Sequence, residues 1–541
     1  MGSGRFHREE GLVSRGPASV RIRPFEKRRT ATRLWCGVLF LSLISAASCD
    51  STQTTPQGTA PRQLTIGNPE GIVEGTDLGV RALAAQLSVE SLTQLGMDGR
   101  SSPKLAESWW WSKGGLELNV NLRPGIQFHD GTPLTAPLAS QLITAAIAIP
   151  SNRALYSSFR DILSVRAVGD RQIVFDLSQP SALLPDDLEF PLTHGKSTVG
   201  TGPYRIVTED DSGVVLDRFD RYYLGPPRIP RVVIKPFDTL RTAWTSLLRG
   251  DVDMVTDVPP DAVEFISNDQ VRVISFGRRY QYLVAFNSAR APFNNSLVRR
   301  ALNMAVDRDA LIKNALQGHG IPSTGPLWPK NWAYNTAVAS YRFDPALAAT
   351  LLNSAGFTAD IRRDGRQRRF RFTCLIPENF SVAERVALEV QKQLFNVGVD
   401  MQFEVVPIKE FTVRVTTGRF DAMLIDLISG PTVGRSYMFW RSARRFPGGL
   451  NTFGYENAEA ERSFDLLRTS ANDVATQSAF TKLQEILLND PPALFLAWNQ
   501  RSRAVSRRFQ IVQDQQRDPA DPVYTIWQWT TATDARLAFA Q

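Results

Sequence analysis

The chain has 541 residues, 43% hydrophobic and 21% charged, an ordinary globular balance whose large core needs no disulfide or metal staples. Its formal charge of +8 does not mark a polyanion binder. Residues 1–48 hold nine Lys or Arg and three Glu, so the remainder is nearly neutral and no nucleic-acid partner is expected.

In chain order, basic residues run up to Arg33, and "LWCGVLFLSLIS" follows from Leu34 to Ser45. Ala46, Ala47 and Ser48 then lead to Cys49. Basic, apolar, small is the order of a secretory signal, here 1–48. The apolar run is shorter than the ~20 residues that a membrane span needs. Small residues directly before Cys49 resemble a bacterial lipoprotein box, which makes Cys49 the candidate lipidation site. Ala46 stands where Leu is usual, so cleavage to a soluble protein is the alternative. Residues 49–63, with "DSTQTTPQGTAPRQ" after Cys49, read as a flexible tether.

Strand and helix signals then alternate. "LELNVNL" (Leu116–Leu122) sets Leu and Val on one face with period two, after a Gly114–Gly115 turn. Thr135 is placed to cap "APLASQLITAAIAI", with Pro137 in its first turn. "QIVFDL" (Gln172–Leu177) and "VDMQFEV" (Val399–Val405) alternate as strands. Helices are expected from Asp307 to Gly318 and from the Asp344 N-cap to Gly356. A third opens on Ser381 and Glu384 in capping-box spacing. Its stripe is Val382, Val386, Val390, Leu394 and Val397, ended by Gly398. Mixed elements over this length predict an α/β protein in more than one lobe.

Residues for covalent or metal chemistry are sparse. The four histidines, His7, His129, His194 and His319, are far apart in sequence, and no HExxH or CxxC pattern occurs. "FPLTHGKS" ends like a phosphate loop but has Phe190 where the first glycine belongs. No GxSxG elbow exists. Cys374 in "RFRFTCLIP" reads as a small buried hydrophobe. With Cys36 and Cys49 at or before the cut, no disulfide framework is expected. The pairs Asp186–Asp187 and Asp210–Asp211 read as solvated surface. His129–Asp130–Gly131 reads as a strand-to-helix turn: Gly131 supplies the turn, and His129 and Asp130 hold it by hydrogen bonds.

Several stretches together resemble one family. "LAESWWWSKGGLELNVNLRPGIQFHDGTPLTA" (Leu105–Ala136), "VGTGPYRIV" (Val199–Val207), "LLRGDVDMVTDVPP" (Leu247–Pro260) and "YLVAFNSARAPFNNSLVRRALNMAVDRDALI" (Tyr282–Ile312) occur in this order. They are similar to signatures of the extracellular solute-binding proteins of family 5, the peptide- and nickel-binding group of ABC importers. The resemblance implies a two-lobed periplasmic-binding-protein fold (type II-like) with an inserted domain. Lobe one would be 64–80, 189–270 and 495–541, the inserted domain 81–188, and lobe two 271–494. Strands near Val271–Phe286 and Leu494–Val505 would form the hinge, and lobes of this kind close on a ligand. The HDG of this family is not catalytic, in agreement with the turn reading.

One departure bears on the ligand. Peptide binders of the family usually carry an Asp-Pro-Asp-like loop where this chain has "GPTVGRSYMFW", with Arg435 and no carboxylate. That predicts an anionic group on the solute, held by Arg435. Tyr280 and Tyr282 on the crossing strand, with Tyr437 and Trp440 after the loop, are candidates to line the cleft, because aromatic rings offer apolar faces with polar tips. Asn287 reads as a structural cap.

A binding protein without catalytic residues, metal or cofactor is thus expected. A secreted hydrolase or a ligand sensor using the same cleft is the alternative. The expected partners are a small-molecule or peptide-like ligand and the membrane permease subunits of an ABC importer. Membrane contact is expected only through a lipid anchor, the protein being otherwise monomeric. Its expected location is the periplasm or, if lipidated, the outer side of the cytoplasmic membrane.

Overall fold

The computed structural model describes residues 63–69, 79–196, 198–361, 367–378, 382–442, 444, 449–514 and 521–531. The leader, Cys49, nearly all of the tether and Ser381 lie outside these residues.

An eleven-stranded mixed sheet organises the chain. Its order is Val399–Val406, Phe370–Pro377, Ala422–Ile428, Val271–Phe286, Ala493–Ser506, Met254–Val255, Leu64–Pro69, Arg231–Phe237, Gly213–Arg218 and Tyr204–Asp210, with Gly320–Pro322 added beside Ala493–Ser506. The two longest strands, Val271–Phe286 and Ala493–Ser506, pair antiparallel through the middle. One end of this pair joins the half containing Ala422–Ile428, and the other end joins Met254–Val255. They fall within one or two residues of the expected hinge strands.

Their ladder loses register twice near the centre, between Gly277 and Gln281 and again between Tyr282 and Leu283. Gly277 faces Gln500, but the next pair is Gln281 with Trp498, so extra residues bulge from one strand. A bulge bends its strand and interrupts the ladder. Side chains beyond it alternate between two cores. Tyr282, Val284 and Phe286 enter one, while Leu283 and Ala285 enter the other. Trp498, beside the bulge, packs edge-on against Trp328 with centroids 4.7 Å apart.

A second, four-stranded sheet is built from Ala106–Ser112, Glu117–Leu122, Gln172–Leu177 and Ile162–Val168. Leu118, Val120 and Phe175 pack with Ala139 and Ile143 of the helix Ala136–Ala148. Period-two alternation in the strands and period 3.6 in the helix meet in this core. Thr135 caps the helix through Leu138, and Gly114 and Gly115 turn the hairpin at positive φ.

The helices after Asp307 and Asp344 follow their cap signals, whereas the one expected to open on a Ser381 capping box starts at Ala383, with Val382 at its N-cap and no side-chain cap bond. Asp344 accepts from the Leu347 amide at 2.8 Å, and Asp307 from the Ala310 amide at 3.0 Å. The stripe residues Val386, Val390 and Leu394 of the helix Ala383–Phe395 are fully buried. Cys374 is buried beside them, and burial pushes its thiol up to about 12. Among the described residues no helix is long and apolar enough to cross a membrane.

Candidate functional site

A cavity of about 710 Å³ opens where the bulged strand meets the loop after Ala422–Ile428. One wall holds Arg279, Ile428, Gly430, Thr432 and Arg435. The opposite wall holds Glu90, Lys104, Tyr156, Asp186, Asp187 and Glu189, with Tyr222, Tyr223, Tyr524 and Trp527 further along. Its size and its mixture of aromatic faces with charged groups of both signs suit a small polar molecule.

Arg435 is the third residue of the helix Val433–Trp440, whose N-cap Thr432 accepts from the Gly434 amide at 3.3 Å. Half-buried, its guanidinium makes no hydrogen bond or ion pair with any described residue. Asp187 and Tyr156 lie across from it. Ser158 holds the Asp187 carboxylate through its amide at 2.8 Å and its hydroxyl at 2.6 Å. Burial raises Asp187 to about 6 against the opposing pull of Ser158 and Arg435. Burial likewise raises Tyr156 to about 12, with Arg435 opposing. Asp186 rises to about 7 through burial, although Ser101 and Thr432 donate to it at 2.6 and 3.0 Å. Asp186 and Asp187 are therefore not solvated surface, as their sequence suggested. The short helix Leu184–Asp187 turns both into the cavity wall. A pair of carboxylates in sequence carries no sign of this; only the fold brings them opposite Arg435.

The cavity floor is tied to the bulge. Arg279 donates to Glu189 at 3.2 Å and to the Leu95 carbonyl at 3.0 Å, while its own carbonyl accepts from the Ser429 and Gly430 amides. At the far end Glu90 is buried, paired with Lys104 at 2.9 Å and accepting from Tyr222 at 2.7 Å and Thr201 at 3.1 Å. Further bonds cross between the two banks. Arg468 pairs with Asp161, and the Trp328 indole donates to the Met97 carbonyl at 2.6 Å.

Of the five candidate ligand residues, Arg435 alone lines this cavity. Tyr437 and Trp440 do not face it; they are 2% and 1% exposed. The helix that presents Arg435 turns them inward, Tyr437 against Phe464 and Arg441, and Trp440 against Phe453 and Phe495. Tyr282 is buried on the opposite face of the sheet, and Tyr280 is half-buried on the bulged strand outside the cavity lining. The aromatic residues at the cavity are instead Tyr156, Tyr222, Tyr223, Tyr524 and Trp527.

The HDG turn lies elsewhere. His129 bonds the Gly202 carbonyl through Nε2 at 3.0 Å rather than a partner within its own turn. Asp130 accepts from the Thr132 amide at 2.9 Å and pairs with His194 Nδ1 at 2.7 Å. The fold thus unites two histidine-bearing segments that are distant in sequence, yet neither His lines the cavity. Burial lowers the His129 pKa, so it joins the turn to "VGTGPY" as a neutral ring. Asn287 caps its loop, donating to the Gly418 and Phe420 carbonyls. Among the described residues no group of three or more metal-ligating side chains occurs.

This architecture has relatives. The family described as bacterial extracellular solute-binding proteins, family 5 middle, matches residues 101–445. The glutathione-binding protein GsiB of Pectobacterium atrosepticum is 27% identical over 441 residues, which are 75% of this chain and 81% of that protein. NikZ of Campylobacter jejuni, solved in complex with Ni(L-His), shares the fold with a TM-score of 0.75 at 21% identity, covering 87% of this chain and 99% of its own. AppA of Bacillus subtilis, solved with a nonapeptide, gives a TM-score of 0.70 at 22% identity, covering 87% and 99%. The chain belongs to family 5 of the bacterial extracellular solute-binding proteins.

Proposed function

We propose that the protein captures a peptide-like or other small polar solute in the 710 Å³ cavity and passes it to the permease subunits of an ABC importer. One observation carries the choice of ligand: Arg435 faces the cavity without an ion-pair partner among the described residues. A half-buried guanidinium facing a cavity favours a bidentate anion, so the solute carries a carboxylate or equivalent group there. Asp186, Asp187 and Glu189 opposite add a place for an amino group, which the Arg435 loop itself does not offer. Glutathione, the ligand named for a relative, has both charges and is the first compound to test.

Residues 64–80, 189–270 and 495–541 then act as one lobe with 81–188 inserted, and 271–494 as the other. The protein works as an exported monomer, its leader removed before Cys49 and its membrane contact limited to a lipid on that residue. Solute leaves unchanged, with no catalytic step.

The test is calorimetry with glutathione, dipeptides and their C-terminal amides, beside mass spectrometry of small molecules released from the denatured protein. Free carboxylates should bind at least tenfold more tightly than amides. Equal binding of acid and amide would remove the role of Arg435, and steady consumption of a bound compound would replace binding with catalysis.

A further inference from the structure

The bulged strand has a second cavity on its other side. About 240 Å³ in volume, it is lined by Asp257, Asp261, Tyr282, His319, Arg385 and Arg501 among others. Tyr282 and Leu316 belong to the core on one face of the sheet, whereas Ile428 of the large cavity packs against the core on the other. The two cavities therefore lie back to back across the crossing strands.

Two of the charged groups that line the rear cavity have no direct partner among the described residues. Arg385, in the first turn of the helix Ala383–Phe395, is half-buried and bonds to no described residue. A cation there opposes the helix dipole. Asp261, exposed in the helical turn after Val258, also lines the cavity and bonds to no described residue. Arg501 pairs with Asp257, but its buried Nε has no hydrogen-bond partner among the described residues. The lining thus brings two guanidinium groups and the carboxylates of Asp257 and Asp261 to one cavity, and Arg385 and Asp261 form no ion pair with each other. The volume is that of several waters, at about 30 Å³ each.

We propose that this rear cavity binds a small zwitterion the size of a free amino acid, its carboxylate on Arg385 and Arg501 and its ammonium on Asp261. His319, which burial keeps neutral, and Tyr282 add polar edges around the backbone of the bound molecule. Because the walls come from both sides of the crossing strands, an occupant biases the hinge. By linkage it changes solute affinity in the front cavity, and the solute changes its affinity by the same factor.

Calorimetric titration of the full exported chain with glycine, alanine and serine tests this, with acetate and methylamine as single-charge halves. Saturable binding is expected for at least one zwitterion and at least tenfold weaker binding for either half. Arg385→Gln and Asp261→Asn should each abolish it, and Arg435→Ala should leave it intact. No saturable heat with any zwitterion overturns the proposal, as does binding that survives both rear substitutions. Binding lost in Arg435→Ala assigns it to the front cavity and also overturns the proposal, while leaving the solute-capture reading standing.

Discussion

At the scale of single residues, charge placement decides what the large cavity can hold. Arg435→Ala should weaken binding of a carboxylate-bearing solute by about 1.5–3 kcal/mol, the worth of a charge-assisted hydrogen bond. Arg435→Lys should recover only part, because an ammonium lacks the planar fork. Titration calorimetry of the three proteins checks the order. The facing carboxylates give a pH signature. Folded pKa values near 7 for Asp186 and 6 for Asp187 exceed the unfolded value of about 3.9. The folded state therefore holds extra protons between about pH 4 and 7, and the stability they contribute is lost as pH rises through that window. The unliganded protein should melt lower at pH 8 than at pH 5, and Asp186→Asn should flatten that slope in scanning calorimetry. Arg435 was legible as a departure from the family's loop, but the direction of its neighbours was not. Tyr437 and Trp440 lie two and five positions beyond it on one short helix, and periodicity alone could not say which of these faces met solvent.

At the scale of elements, the local rules were readable where they are local. The Asp307, Asp344 and Thr135 caps, the Gly114–Gly115 turn and the 386–390–394 stripe all follow from neighbours within four residues. The "GTGPY" stretch follows a long-range constraint instead. A Cβ on Gly200 would sit 2.2 Å from the Ser88 carbonyl oxygen, at the end of the helix Val80–Ser88. The Gly202 amide donates to that same oxygen at 2.9 Å. These glycines let two backbones touch, a requirement invisible in their own segment. Gly200→Ala should cost about 1–3 kcal/mol through forced backbone displacement, read as a lower urea midpoint with an unchanged slope. The joint between "HDG" and "GTGPY", made by His129 on the Gly202 carbonyl, should loosen with it.

At the scale of the whole molecule, the main sheet runs unbroken through two long strands, yet those strands lose register at their centre. Bending concentrates where ladder bonds are missing, so the proposed lobes would pivot at the bulge between Gly277 and Gln281. The buried Arg468–Asp161 pair ties the banks together. Arg468→Met leaves Asp161 without its cation, a loss of about 3 kcal/mol for a broken buried pair. The unliganded variant should show a larger radius of gyration by small-angle scattering, and its solute affinity should fall. The crossing strands were legible through the family resemblance. The bulge was not, because register depends on the partner strand as much as on the strand itself. The indole pair at this pivot has a practical consequence. Trp498 stands beside the bulge and Trp328 reaches across to the Met97 carbonyl, so a change of angle there would alter the edge-on contact of two intrinsic fluorophores and the hydrogen bond of one. If the proposed lobes close on solute, emission from unlabelled protein should shift on binding, and Trp498→Phe should reduce that shift among the eleven tryptophans.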